Sequence, residues 1–222
     1  MFQITIDGLS GSGKSSVARK VAEELQIIYF DIDLATAAIA ALCTRNSINP
    51  TSEDKVLDLL RTVDIKIDGY GKETSVTING ENVTKLIKNP VIASCAYKLS
   101  HQPVIEKFMR ILQLKAAQNH DVVVEGYNSG STLFPKAKYK FFLTADATVR
   151  AERKLESLIE NGIRDYKYEE ILKDTEETDG MYFNGEMSKI NIPEDTHFID
   201  TSTNTENDTA KEICDLVRGN NQ

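Results

Sequence analysis

The sequence predicts an α/β fold, a parallel sheet covered by helices on both faces, and three observations predict it. Short apolar runs alternate with stretches of helical spacing along most of the chain, which is the pattern of strands joined by crossover helices. A glycine-rich octapeptide, GLSGSGKS at residues 8–15, separates the first apolar run from the first helical one. The 222 residues, 41% hydrophobic and 27% charged, are enough to bury a sizeable core and suit one elaborated domain.

In order, FQITIDG places apolar Phe2, Ile4 and Ile6 in a first strand, and SSVARKVAEELQ repeats Val17, Val21 and Leu25 at helical spacing. IIYFDID predicts a second buried strand that ends on acids, and DLATAAIAALC a helix. SEDKVLDLLRTV is amphipathic, and VDIKIDGYGKETSVTINGEN alternates apolar with polar residues around Gly69 and Gly71, as an exposed antiparallel hairpin does. Residues 83–118 are mostly helical, with Pro90 and Pro103 as helix starts. DVVVEG and YKFFLTA are two more buried strands, and TADATVRAERKLESLIENG is a helix with Gly162 as its stop signal. From about 163 to 191 the text is polar and short of apolar periodicity, which predicts a lid-like segment. HFIDTS and DTAKEICDLV close the chain as a strand and a helix, followed by a polar tail.

Residues Gly8, Gly13, Lys14 and Ser15 satisfy GxxxxGK[ST], and the pattern lies between a predicted strand and a predicted helix. That context marks a P-loop NTPase-type sheet. Glycines at 8, 11 and 13 let the backbone wrap tightly and turn its N–H groups inward, where the helix N-terminus adds positive potential. Leu9, Ser10, Gly11, Ser12, Gly13 and Ser16 complete the expected ATP phosphate cradle. Lys14 is expected on the β/γ-phosphates and Ser15 on Mg²⁺. The magnesium also needs an acid from a strand end: Glu125 closes VVVE, and Asp31 and Asp33 stand two apart, on one face if the second strand continues through them.

Composition excludes several classes. A net charge of −8 opposes a polyanion, so neither nucleic acid nor an anionic membrane surface is an expected partner. Cys43, Cys95 and Cys214 are odd in number and far apart, which suits reduced thiols in the cytoplasm. His101, His120 and His197 lack metal-ligand spacing and are expected in loops or at element ends. With neither a signal peptide nor a membrane span in the text, the expectation is a cytoplasmic monomer.

ITIDGLSGSGKSSVARKVAEEL, YFD at 29–31, VTINGENVT, EGYNSGSTLFPKAKYKFFLTADATVRAERKLESL and HFIDTS occur in an order that resembles the bacterial cytidylate kinases over nearly the full length. The resemblance implies a single kinase domain that transfers a phosphoryl group from ATP to CMP or dCMP. It implies a core of about 1–34, 121–149 and 192–222, a monophosphate-binding insert of about 35–120, and a lid of about 150–191. Arg150 and Arg153 match family basic positions and are expected to stabilise charge on the transferring phosphate.

The acceptor side departs from the family pattern. A phosphate-binding arginine is absent from the stretch Ile32 to Ala37, and Gly126, Tyr127 and Asn128 stand where Gly-Arg-Asp is usual. Tyr97 aligns with a base-reading serine, Glu106 with an arginine, and residues 175–182 with an arginine-rich lid motif of which Asp179 alone is matched. Three expectations follow. Arg45, Arg110, Lys98 or Arg164 replaces the missing arginines and CMP is still the acceptor; or the acceptor is another small molecule, with Asp33 as base, Asp31 assisting magnesium, and Arg61, Tyr97, Tyr127 and Asn128 lining its pocket; or the chain binds ATP as a regulatory protein with little catalysis.

Overall fold

The structure is a computed structural model that describes residues 1–70, 74–160, 166–185 and 190–219. Gly71, Gly162 and Arg164, and the tail beyond Gly219, lie outside the described residues. The chain divides into two compact units: residues 26–122 with Met1, and residues 2–25 with 123–222.

Strand β1 (Gln3–Gly8) is buried on both faces from Ile4 onward, as a central parallel strand is, and leads through the glycine-rich loop into helix α1 (Lys14–Leu25). Val17, Ala18, Val21 and Ala22 form the buried stripe of α1.

The first unit begins with β2, which is only Ile28–Tyr29. The expected longer strand through Asp31 and Asp33 is corrected here. Asp31 accepts the Leu34 N–H at 2.9 Å and caps helix α2 (Ile32–Arg45), so Asp33 lies in the first turn of a helix. An acidic first turn and Arg45 in the last turn both complement the helix dipole. Helix α3 (Glu53–Leu60) follows, then an antiparallel sheet of β3 (Ile65–Asp68), β4 (Ser75–Ile78) and β5 (Glu81–Asn82). Ile65 pairs with Ile78 and Ile67 with Val76, and these residues form its buried face. Asn79 and Gly80 both have positive φ, 50° and 81°, and make the two-residue turn between β4 and β5 that the sequence reading passed over. Pro90 and Pro103 open α4 (Pro90–Ser100) and α5 (Pro103–Asn119) as expected, and the Asn89 side chain caps α4 by accepting the Val91 N–H at 2.9 Å.

In the second unit, the sheet runs in the order β6-β1-β7-β8, where β6 is Val122–Gly126, β7 is Tyr139–Thr144 and β8 is His197–Asp200. β7 pairs parallel with β1 (Ile6 opposite Phe141) and with β8 (Leu143 opposite Ile199). Between β7 and β8 come helices α6 (Ala147–Glu160) and α7 (Tyr168–Asn184). The closing helix α8 (Glu206–Gly219) packs on α1 through Ile213, Cys214 and Val217, with Arg218 donating to Glu24 at 2.8 Å.

Helix α7 is the main departure from the sequence reading, which found no periodicity in this stretch. Its buried stripe consists of Ile171, Thr175 and Tyr182, spaced at helical intervals. Two of the three carry hydroxyls, and a search for aliphatic repeats misses them. Gly185, at φ 79°, ends the helix in the left-handed conformation. Among the described residues no helix is long and apolar enough to cross a membrane.

Gly8 sits where β1 passes β7 so closely that a Cβ would lie 2.2 Å from the Leu143 carbonyl oxygen. Gly8→Ala is therefore expected to destabilise the fold by at least about 1–3 kcal/mol, read from denaturant unfolding, because backbone rather than a side-chain tip must move.

Candidate nucleotide site

The glycine loop places its own lysine and serine at the head of a cleft. Gly11 and Gly13 have φ of 81° and 89°. At Gly11 a Cβ would come within 2.9 Å of the Arg150 carbonyl oxygen, so the close packing of loop on α6 requires glycine there. Lys14 is buried and donates to the Leu9 carbonyl at 2.9 Å; its ammonium lies 4.8 Å from the centre of the Tyr127 ring. Burial pushes the Lys14 pKa down, while the nearby Glu125 and Asp7 carboxylates oppose that shift. Ser15 donates its hydroxyl to Glu125 at 3.2 Å, which brings the two expected magnesium ligands together. Asp31, the third, is the α2 cap described above. Among the described residues no three His, Cys, Asp or Glu side chains gather as a metal cage. A P-loop Mg²⁺ needs no such cage: a hydroxyl, one or two carboxylates, phosphate oxygens and water suffice, so Ser15 and Glu125 fit it.

The cleft has a volume of about 670 Å³, and Lys14, Ser15, Arg153, Lys154, Thr201 and Asn204 are among its lining residues. That is the size of a pocket for a nucleotide-sized ligand. Arg153 is anchored by donating to the Thr201 carbonyl at 2.6 Å and to its hydroxyl at 3.1 Å. Thr201 in turn donates to the Ser12 carbonyl at 3.0 Å, so β8 and the glycine loop are fastened together.

Arg150, expected as a charge over the transferring phosphate, is engaged with groups of the protein. Its guanidinium is only 2% exposed and already committed: Nε donates to Ala145 O at 2.8 Å and Nη1 to Ser10 O at 3.2 Å. Nη1 and Nη2 together grip the Asp179 carboxylate on α7. Arg150 and Asp179 thus form a largely buried ion pair that joins α6 to α7. The cation that joins Arg153 in the cleft is Lys154, which sequence reasoning missed. Its ammonium donates to Thr175 on α7 at 2.9 Å, and burial lowers its pKa. The signal was available in the Arg-x-x-Arg-Lys spacing of residues 150–154.

The four acceptor candidates belong to different units. In the first unit, Asp33 is exposed in the first turn of α2, and Tyr97 is 69% exposed on α4, edge-on to His101. In the second, Tyr127 stacks on Tyr182 with ring centres 4.7 Å apart, and Asn128 accepts the Asn191 N–H at 2.8 Å. Of the cations suggested as replacements, Arg45 is held by Glu81 through bonds of 2.7 and 2.8 Å and Arg110 pairs with Glu106 at 3.4 Å; Arg61, suggested as lining a changed acceptor pocket, pairs with Asp58 at 2.9 Å.

A further carboxylate escaped the sequence reading. Asp7, at the end of β1, is buried and accepts the N–H groups of Ser129 and Gly130 at 2.8 and 2.7 Å, which shapes the turn after Tyr127 and Asn128. Gly126 and Gly130 lie beside it, where a Cβ would meet the Ser129 hydroxyl at 2.6 Å and the Thr5 hydroxyl at 2.8 Å respectively.

Residues 4–219 match the family model described as cytidylate kinase. The chain belongs to the cytidylate kinase family. Among curated relatives, the cytidylate kinase of Caldanaerobacter subterraneus subsp. tengcongensis is 33% identical over 218 residues, covering 98% of this chain and 95% of that one. That of Carboxydothermus hydrogenoformans is 32% identical over 201 residues, with 90% of each chain covered, and that of Clostridium botulinum strain Loch Maree is 28% identical over 217 residues, with 98% of each covered. As a cytidylate kinase family member the chain is a phosphotransferase of the nucleoside-monophosphate-kinase type, with ATP as donor and Mg²⁺ as its cation.

Burial raises the Asp7 pKa above the usual 3.8. The folded state then holds this proton to higher pH than the unfolded chain does, so the group's contribution to stability is greatest at low pH and is lost as pH rises from 3.8 through the raised value. Asp7→Asn is expected to remove that slope from a stability-against-pH profile. It is also expected to cost about 1–3 kcal/mol, because an amide accepts from one of the two N–H groups and opposes the other.

Proposed function

We propose that this chain is a cytoplasmic, monomeric single-domain kinase that transfers the γ-phosphoryl group of ATP to CMP, dCMP or a closely related small acceptor. The observation that carries the donor half of this reading is Lys14 and the Ser15–Glu125 contact at the head of a nucleotide-sized cleft. Mg²⁺, when bound, neutralises charge on the phosphates, and Ser15 with Glu125 is the pair suited to hold it. Lys14 supplies a fixed positive charge beside the β/γ-phosphates. Arg153 and Lys154 add two more from α6, in place of the lid arginines usual in the family. A CMP phosphate oxygen needs no base; only if the acceptor is a hydroxy compound is Asp33, exposed at the start of α2, the candidate to take its proton. CMP as the acceptor rests on family membership over residues 4–219.

One observation favours a second reading, a kinase with a changed acceptor. At the position of the usual phosphate-binding arginine stands Tyr127, an aromatic ring stacked on Tyr182. A tyrosine cannot give the paired, charge-assisted bonds with which arginine grips a phosphate dianion, each worth about 1.5–3 kcal/mol.

The purified protein with Mg-ATP is assayed for ADP, alone and with CMP, dCMP, UMP and a set of small hydroxy compounds. Turnover with CMP or dCMP, lowered at least about 100-fold by Lys14→Ala, is the expected result. Turnover only with a non-nucleotide acceptor, abolished by Asp33→Asn, establishes the second reading instead. If ATP raises the melting temperature and no acceptor increases ADP, the chain is an ATP-binding protein and the kinase reading is wrong.

A further inference from the structure

Lys14 has two neighbourhoods. On one side it lines the nucleotide cleft, and on the other its ammonium faces the Tyr127 ring at 4.8 Å. Tyr127 is stacked on Tyr182, the buried aromatic of α7, with the planes 23° apart. Around this pair lie Leu9 of the glycine loop, Phe142 of β7, Ile190 and Ile192. The cluster is apolar apart from the two phenol hydroxyls, and burial pushes the Tyr182 phenol up to about 12. Three polar ties hold the same segment down: Asp179 to Arg150, Thr175 to Lys154, and the Asn191 N–H to Asn128. An apolar wall thus stands directly beside Lys14.

We propose that Tyr182, through its stack on Tyr127, is a specificity-determining residue that discriminates against water as phosphoryl acceptor. The inference rests on the reading above that Lys14 meets the terminal phosphates of ATP. In both transfer and hydrolysis the bond between the γ-phosphorus and the β,γ-bridging oxygen breaks, and ADP leaves. In transfer the new bond is to an oxygen of the acceptor: a phosphate oxygen of CMP, which is already ionised and gives up no proton, or the oxygen of a hydroxy compound, whose proton passes to a base or to solvent; in hydrolysis it is to a water oxygen, and inorganic phosphate and a proton are released. The two outcomes differ in which oxygen reaches the phosphorus. An enzyme that lets a water in wastes ATP, and excluding water from the phosphoryl site prevents this side reaction. Arginines around a phosphate would keep their own hydration; two stacked aromatic rings do not. One ring of the stack, Tyr182, lies on α7, so the exclusion depends on that helix staying seated.

The test is ADP release from Mg-ATP without any acceptor, compared among the wild type, Tyr182→Ala, Tyr182→Leu and Tyr182→Phe, together with limited proteolysis of α7 and the melting-temperature shift caused by ATP. Tyr182→Ala is expected to raise acceptor-independent ADP formation about tenfold, with ATP still stabilising the protein. Tyr182→Phe, which keeps the ring, is expected to return the rate to within about twofold of wild type. Tyr182→Leu keeps apolar bulk without a flat ring, so it gives a folded comparison if the alanine variant does not fold; a rise of several-fold is expected. A rate unchanged or lowered in the alanine and leucine variants, with ATP binding intact, overturns the proposal. So does equal elevation in Tyr182→Phe, which would assign the effect to the hydroxyl. Failure of the wild type to use any acceptor defeats the proposed kinase function and leaves this comparison of hydrolysis rates standing. Absence of any ATP-induced shift defeats both.

Discussion

Arg150 is a guanidinium withdrawn from water at the centre of the nucleotide-binding unit, and its neighbours are arranged by it. A guanidinium offers its N–H donors in fixed directions, and here four hydrogen bonds reach Ala145 just past β7, the glycine loop at Ser10, and α7 at Asp179. An isolated buried cation costs several kcal/mol, so each of these partners is needed for the charge to be tolerated where it is. The glycine loop answers the same constraint from its side: Gly11 has no side chain because the backbone of Arg150 lies against it. A loop usually described by what it binds is therefore also shaped by the helix behind it.

The same residue explains how α7 keeps its place. Asp179 has its partner within the chain, and Thr175 and Tyr182 add a hydrogen bond and an aromatic contact on the same face of α7. Positive charge in the cleft then comes from Lys14, Arg153 and Lys154. All three are tied to protein groups that hold them near the cleft: Lys14 to Leu9, Arg153 to Thr201, and Lys154 to Thr175. Fixed charges of this kind suit phosphoryl transfer, in which positioning and electrostatics supply most of the catalysis.

The parts of this arrangement that were legible in the sequence are those in which one residue type has one job. Glycines 8, 11 and 13, the lysine and serine after them, the β-rich runs and the helix-opening prolines all follow from local rules. What escaped depended on long-range partners. Asp31 and Asp33 are spaced as a strand pair, but a carboxylate positioned to cap outcompetes a strand that has few neighbours, and the helix begins there. Helix α7 is written in threonine and tyrosine rather than leucine, so its buried face is visible only when the residues it packs against are known. Arg150 matched a phosphate-binding position, and nothing local reveals that an acid 29 residues later in the chain takes its charge. Asp7 looks like an ordinary strand-end acid until the backbone N–H groups of Ser129 and Gly130 arrive from beyond residue 120.

A double-mutant cycle between Arg150 and Asp179, using Arg150→Met and Asp179→Leu with stability measured by denaturant unfolding, tests most directly the idea that this ion pair organises the nucleotide-binding unit. Each single variant is expected to lose about 3–5 kcal/mol because it strands a partner in a buried site, and the double variant to recover at least about 1.5 kcal/mol of the summed loss. Losses that add to within about 0.5 kcal/mol would contradict the account, since they would mean that the two residues act independently.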